Sequence, residues 1–271
     1  MPELPEVETI KNVLEHNLKN KTIEWIRLDY APLLESKSEY KIQDLSGLTF
    51  KGFQRRGKYL IFNFDNGMSW VVHLRMEGKF HLYKEETNPA KHTHLMFKVD
   101  DTYVHYLDTR KFSRMAVIKD LDAYFKTKNL GYEPFDEALS VSFLKERFKN
   151  RKRAIKSVLL DQSHITGIGN IYADEILFRC KIHPEKPAFT LTDKQLESII
   201  DNTIIVLKKA IEEGGTTIRS YTSSLGVTGL FQVSLKAYGR EGLPCTECQT
   251  SMTRIKVGGR STVFCEKCQK E

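Results

Sequence analysis

Two Cys-x-x-Cys pairs close the chain, Cys245 with Cys248 and Cys265 with Cys268, separated by sixteen residues. They constrain the fold more than any other feature. Four thiolates at this spacing can surround one tetrahedral zinc ion, whereas the competing arrangement, two disulfides, needs an oxidising compartment. A tail of ~40 residues buries too little apolar surface to hold itself together, so the metal is expected to supply most of its folding energy. Between the pairs, Met252 to Val257 and Ser261 to Phe264 read as two short strands around Gly258-Gly259-Arg260, which predicts a hairpin with Arg260 at its tip. With all four positions filled by sulfur, one structural Zn2+ is expected. The fifth cysteine, Cys180, lies in a predicted helix and reads as a small buried hydrophobe.

The other end begins Met1-Pro2-Glu3-Leu4-Pro5-Glu6-Val7-Glu8. A proline behind the initiator methionine can become a free secondary amine, which near neutral pH is a nucleophile able to form a Schiff base. Glu3 stands beside it to supply or take a proton. The alternative is purely structural, with Pro2 and Pro5 in the first turn of a helix and acidic residues at its positive end. Val7, Ile10, Leu14 and Leu18 recur at helical spacing, so a helix is predicted from residue 5 to about 19.

A length of 271 residues allows at least two domains, and 40% hydrophobic with 28% charged residues is ordinary for a globular chain. No stretch approaches the ~20 apolar residues of a membrane span. The start lacks the basic and apolar regions of a secretory leader, so a cytoplasmic location is expected. Forty-two Lys and Arg against thirty-five Asp and Glu leave +7, compatible with a polyanionic partner. The charge concentrates in Arg55-Arg56-Gly57-Lys58, in Lys149 to Arg153 and in Arg254 to Arg260, each of which serves equally as a solvated face.

From Thr22 to about Lys119 the pattern is that of strands. Tyr59 to Phe64 and Met68 to Leu74 flank the turn Asp65-Asn66-Gly67, and Leu95 to Val99 is joined to Tyr103 to Leu107 by Asp100-Asp101-Thr102. Many short hairpin strands predict a β-sandwich. Gly131-Tyr132-Glu133-Pro134 breaks the pattern, and residues 140 to 214 read as helical, with a capping box at Thr192 and Gln195. Within that region Gly167-Ile168-Gly169-Asn170 joins two helices, either as a cradle for phosphate or as a plain helix-hairpin turn.

Taken together, these segments closely resemble the bacterial formamidopyrimidine-DNA glycosylases, a family that removes oxidised purines such as 8-oxoguanine. The resemblance runs the whole length, through Pro2 to Glu8, Arg56-Gly57-Lys58-Tyr59, His73-Leu74-Arg75-Met76-Glu77-Gly78, Asp108-Thr109-Arg110-Lys111-Phe112, Gly167 to Ala173 and the cysteine pairs. It implies an α+β multidomain fold: an N-terminal helix and β-sandwich catalytic domain over 1–130, a helix-two-turn-helix domain over 131–230 and a zinc-ribbon hairpin over 231–271. By similarity, Pro2 attacks C1′ of the damaged nucleoside, Glu3 donates a proton, and Lys58 and Arg260 serve the two eliminations that cut the strand. Glu6 matches a family carboxylate near the site.

The same resemblance assigns Met76, Arg110 and Phe112 to a wedge that fills the gap left by an extruded base. It places Lys156, Asn170 and Arg260 on phosphates, makes His92 and Arg151 further DNA contacts, and counts His73 and Tyr172 with the DNA-contacting set. The implied partner is double-stranded DNA containing oxidised bases or abasic sites, bound by a monomer. Lys111, where many relatives carry a second arginine, and Ser220, where an aspartate is common, depart from the family pattern. Two other readings remain: the sister group acting on oxidised pyrimidines, often called endonuclease eight, and a protein that recognises damaged DNA without cutting it. Leu4 and the wedge residues favour the purine branch, and the joint presence of Pro2, Glu3, Lys58 and Arg260 favours an enzyme.

Overall fold

Pro5 within the first turn and a Glu3–Glu6 capping box start helix α1 (Leu4–Leu18), whose buried stripe of Leu4, Val7, Ile10, Leu14 and Leu18 repeats every three or four residues. The computed structural model describes residues 1–216 and 234–270. After α1 come eight strands, β1 (Ile23–Leu28), β2 (Phe50–Arg56), β3 (Tyr59–Phe64), β4 (Ser69–His73), β5 (Lys79–Tyr83), β6 (Thr93–Val99), β7 (Thr102–Leu107) and β8 (Arg114–Ile118). They form two antiparallel sheets, ordered β1-β6-β7-β5 and β2-β3-β4-β8. Alternating residues of the two inner faces make one core in which Phe50, Phe62, Trp70, Phe80 and Phe97 meet edge to face or tilted. This is the predicted sandwich. A short helix α2 (Leu121–Lys126), capped by Asp120, follows it and was not foreseen, because six residues are too few to show a helical period.

The helical part contains α3 (Val141–Phe148), α4 (Ile155–Leu159), α5 (Asn170–Cys180) and α6 (Asp193–Glu212). The capping box of Thr192 and Gln195 opens α6 as its sequence predicts. In the tail, β9 (Thr253–Val257) and β10 (Arg260–Phe264) pair around Gly258-Gly259, both at positive φ, as a two-residue turn requires. Arg260 is therefore the first residue of β10, opposite Val257, and the tip itself is glycine.

Two compact units result. One contains Met1–Lys128 with the segment beginning at Gly214, and the other contains Asn129–Glu213 with the described tail. Among the described residues, no helix is long and apolar enough to cross a membrane.

Candidate functional site

In the first unit the charges of Glu3, Glu6, Lys58 and Glu77 act on the chain terminus. Pro2, Glu3 and Glu6 are buried. Glu6 Oε2 accepts the Glu3 N–H at 2.9 Å, which fixes the backbone beside Pro2. Lys58 sits in the two-residue turn between β2 and β3, where Gly57 takes φ +56, and is only 5% exposed. Arg55 braces that turn, donating to Gly57 O at 3.1 Å and to Glu8 Oε2 of α1 at 2.7 Å. The α-ammonium of Met1 is held below its usual value by burial first, and Lys58 acts in the same direction; Glu3, Glu6 and Glu77 oppose them. Glu3, named from its place beside Pro2, and Lys58, named by the family resemblance, thus both act electrostatically on the terminus that adjoins Pro2. Glu77 joins them and was foreseen only as part of a motif.

His73 ends β4, 8% exposed, with Nδ1 accepting the Arg75 N–H at 3.0 Å and its ring edge-on to Tyr59 at 4.5 Å. Burial, then the charges of Arg75, Lys58 and Lys128, push its pKa down to about 3. It is a neutral imidazole at physiological pH, so any phosphate it meets receives a hydrogen bond and not a cation.

Met76 and the pair Arg110 and Phe112 occupy two loops joined by a buried hub. Asp108, 1% exposed, accepts Arg110 N–H at 3.0 Å, Ser113 N–H at 2.8 Å and Ser113 Oγ–H at 2.7 Å. Ser113 Oγ also lies 3.0 Å from Leu74 O, at the root of the Met76 loop. Gly78 closes that loop, and a Cβ there would overlap Tyr106 Oη and Ser113 Oγ. The wedge residues themselves stay outside: Phe112 is 47% exposed and the Arg110 guanidinium lies 4.7 Å above its ring. Lys111, at φ +57, places its ammonium 4.8 Å from the Tyr30 ring. His92 also has positive φ, and its carbonyl accepts the Asp108 N–H at 3.1 Å. Acceptance of the Arg110 N–H by Asp108 is an Asx turn, and in the sequence Asp108 is marked only as the head of the motif that carries Arg110 and Phe112.

In the second unit Lys156, expected on phosphate, lies in the interior. It is fully buried, with Nζ 2.6 Å from Asp174 Oδ1, 2.7 Å from Thr262 Oγ1 and 2.8 Å from Ser261 O. Tyr172 is likewise fully buried in α5. Asn170, the first residue of α5, donates Nδ2–H to Ser261 O at 2.9 Å, so its amide helps to seat the hairpin. Asp174 Oδ2 accepts the Val263 N–H at 3.1 Å, completing the attachment of β10 to α4 and α5. Arg260 and Arg151 are exposed. The segment carrying Arg219 and Ser220 lies outside the described residues.

The four cysteine sulfurs lie within 4.8 Å of one another, with Cys245 to Cys268 at 4.0 Å and Cys248 to Cys265 at 3.5 Å. A tetrahedron of sulfurs ~2.3 Å from zinc has edges of about 3.8 Å, so the donor set fits one Zn2+ and leaves it no open position. The ion is structural.

A proline-headed helix on a sandwich, a glycine turn opening α5 and a four-cysteine hairpin define the class of zinc-ribbon proteins with a helix-two-turn-helix module. Three family profiles match in order: the formamidopyrimidine-DNA glycosylase N-terminal domain over residues 1–115, its H2TH domain over 130–222, and a zinc finger found in FPG and IleRS over 242–270. The formamidopyrimidine-DNA glycosylase of Ligilactobacillus salivarius is 45% identical, with 99% of each chain covered, and that of Enterococcus faecalis is 43% identical over 100% of this chain and 98% of its own. A Lactococcus lactis Fpg in complex with DNA containing an abasic site superposes with a TM-score of 0.94 at 38% identity, covering 99% of this chain and 100% of that one. Another from the same organism, bound to DNA containing Fapy-dG, gives 0.92 at 37% identity, covering 99% and 100%. The chain belongs to the formamidopyrimidine-DNA glycosylase family.

Proposed function

We propose that the protein is a base-excision-repair glycosylase and abasic-site lyase that removes oxidised purines, including 8-oxoguanine and formamidopyrimidines, from duplex DNA in the bacterial cytoplasm. The observation that carries the reading is the burial of Pro2 and Glu3, held by the Glu3 N–H to Glu6 bond, with Lys58 and Glu77 also acting electrostatically on the terminus. Removal of Met1 leaves the secondary amine of Pro2, itself buried, among those charges. Burial favours the unprotonated amine, which is the nucleophilic form.

The amine nitrogen bonds to C1′ as the glycosidic bond breaks and its N–H proton passes to the departing base; the C1′–O4′ bond then opens to leave the iminium, with Glu3 supplying the proton that O4′ takes. The resulting iminium acidifies the C2′ hydrogen, so the 3′ phosphate leaves by β-elimination and the 5′ phosphate by δ-elimination. Lys58 and Arg260 are the proton donors of these two steps. Met76, Arg110 and Phe112 fill the gap in the base stack, and His92, Arg151 and His73 contact the backbone. The division into modules at 1–130, 131–230 and 231–271 assigns Pro2, Glu3 and Lys58 to the first and grip to the other two, the third also supplying Arg260 to the second elimination.

Borohydride reduces a Schiff base to a stable amine. Trapping on abasic DNA, followed by peptide mapping, should place the sugar on Pro2. Retaining one residue before Pro2 converts the amine to an amide, whose lone pair is delocalised, and should abolish both trapping and strand cleavage while DNA affinity persists. Near-normal trapping by the blocked protein would instead make Lys58 the nucleophile.

A further inference from the structure

Glu6 has a second attachment that its place in the capping box does not require. Oε1 accepts the Thr216 N–H at 2.9 Å and the Thr216 Oγ1–H at 3.1 Å, while Oε2 holds the Glu3 N–H. The carboxylate is 4% exposed and Thr216 is 7% exposed, so these bonds are shielded from water. Thr216 is 210 residues from Glu6 in the chain. A carboxylate accepts at both oxygens, whereas a carboxamide presents NH2 at one of them, so only Asp or Glu can receive N–H groups from both sides at once.

The approach is also sterically specified. Gly215 adopts φ +75, and a Cβ built on it would lie 2.8 Å from Glu6 Oε1 and 3.2 Å from Glu6 Cγ. Any side chain at 215 therefore both strains the backbone and displaces the carboxylate.

The geometry points to Glu6 as a positioning residue, a two-sided clamp through which the Gly215-Thr216 backbone sets the place of Glu3 and of the adjoining Pro2. Glu6 need not touch the sugar or transfer a proton. It holds the N-terminal segment in register with the rest of the site, so the reacting amine is located by a strand of chain far from it in sequence. This rests on the reading of Pro2 and Glu3 as the reacting groups.

The test uses the full-length zinc-loaded protein with single-turnover excision and borohydride trapping. Gly215→Ala adds no charge and removes no polar group, yet it should slow excision by about 10- to 100-fold, as should Glu6→Gln, because each breaks a bond to a buried charged group. The double variant should be no slower than the slower single one, since both disable the same clamp. Thr216→Val, which removes the Oγ1–H donor and keeps the backbone one, should cost about 3- to 10-fold. Affinity for DNA carrying a tetrahydrofuran abasic analogue should stay within about two-fold in all of them, because phosphate contacts carry binding and lie on other segments.

Wild-type rates in both Gly215→Ala and Thr216→Val, or additive losses in the double variant, would overturn the clamp. Should Gly215→Ala fail to fold by thermal melting, Thr216→Val decides alone. Failure of the wild-type protein to trap on Pro2 would remove the underlying reading; normal wild-type trapping with unaffected variants would remove only the clamp.

Discussion

Lys156 and Asp174 show how differently a charge behaves once it leaves the surface. With Nζ 2.6 Å from the carboxylate and both side chains almost wholly buried, each ion depends on the other. Burial raises the pKa of Asp174 to about 6 in spite of the lysine, which reports how much desolvation the pair must offset. Lys156→Met should lower the unfolding free energy by about 3–5 kcal/mol, because an uncompensated carboxylate stays buried. Adding Asp174→Asn should recover part of that loss, a coupling that urea denaturation of the single and double variants will measure. A single variant within about 1 kcal/mol of wild type would refute the strut. The sequence shows a lysine in α4, just after a basic run, and cannot show its partner, since Asp174 and Thr262 reach it from distant segments. The burial of Tyr172 was hidden for the same reason, since it is set by packing across α5. Cys245 to Cys268, in contrast, were legible because zinc ligands are specified by local i, i+3 spacing.

At the scale of elements, the hairpin β9–β10 illustrates what local chemistry can and cannot specify. Strand alternation and the Gly258-Gly259 turn were readable, and only the register moved Arg260 from the tip to the first pair of β10. The seat of the hairpin was not readable, because Asn170, Lys156 and Asp174 bind its backbone through long-range contacts. The zinc ligands also belong to a small apolar cluster with Phe178 of α5, Ala237, Met252 and Val263. Loss of the ion therefore unravels more than the tail. Cys248→Ser should release zinc, whose apparent binding energy in such sites is about 10–16 kcal/mol, and should greatly weaken DNA binding. Amide exchange should accelerate through the hairpin and the residues about Ala237, reach the end of α5 weakly, and leave the sandwich strands protected. Absence of zinc from wild-type protein purified without chelators would contradict the assignment.

Across the whole molecule, the two compact units carry titrating groups of opposite sign, and acid should separate them. In the unit containing the sandwich, His73 is depressed from 6.5 to about 3, and burial also lowers His81 and His105. A depressed histidine leaves the folded state unable to take the proton that the unfolded chain accepts below pH 6.5. The stability it contributes is complete above that value and is lost as pH falls toward 3. From pH 7 to 5 the loss through His73 alone is about 2 kcal/mol, the slope approaching 1.36 kcal/mol for each pH unit below 6.5. The helical unit holds Asp174, raised from 3.8 to about 6, and Glu175, also raised by burial. Raised carboxylates act the other way, favouring the folded state as pH falls from about 6 toward the unfolded value, and they offset His164, which burial lowers. Calorimetry between pH 7 and pH 5 should therefore show the sandwich transition moving down in temperature while the helical transition changes little. His73→Asn preserves an acceptor for the Arg75 N–H and removes the titration, so the sandwich transition of that variant should be much less sensitive to pH. Equal shifts of both transitions in the wild type, or an unchanged slope in the variant, would place the acid sensitivity elsewhere.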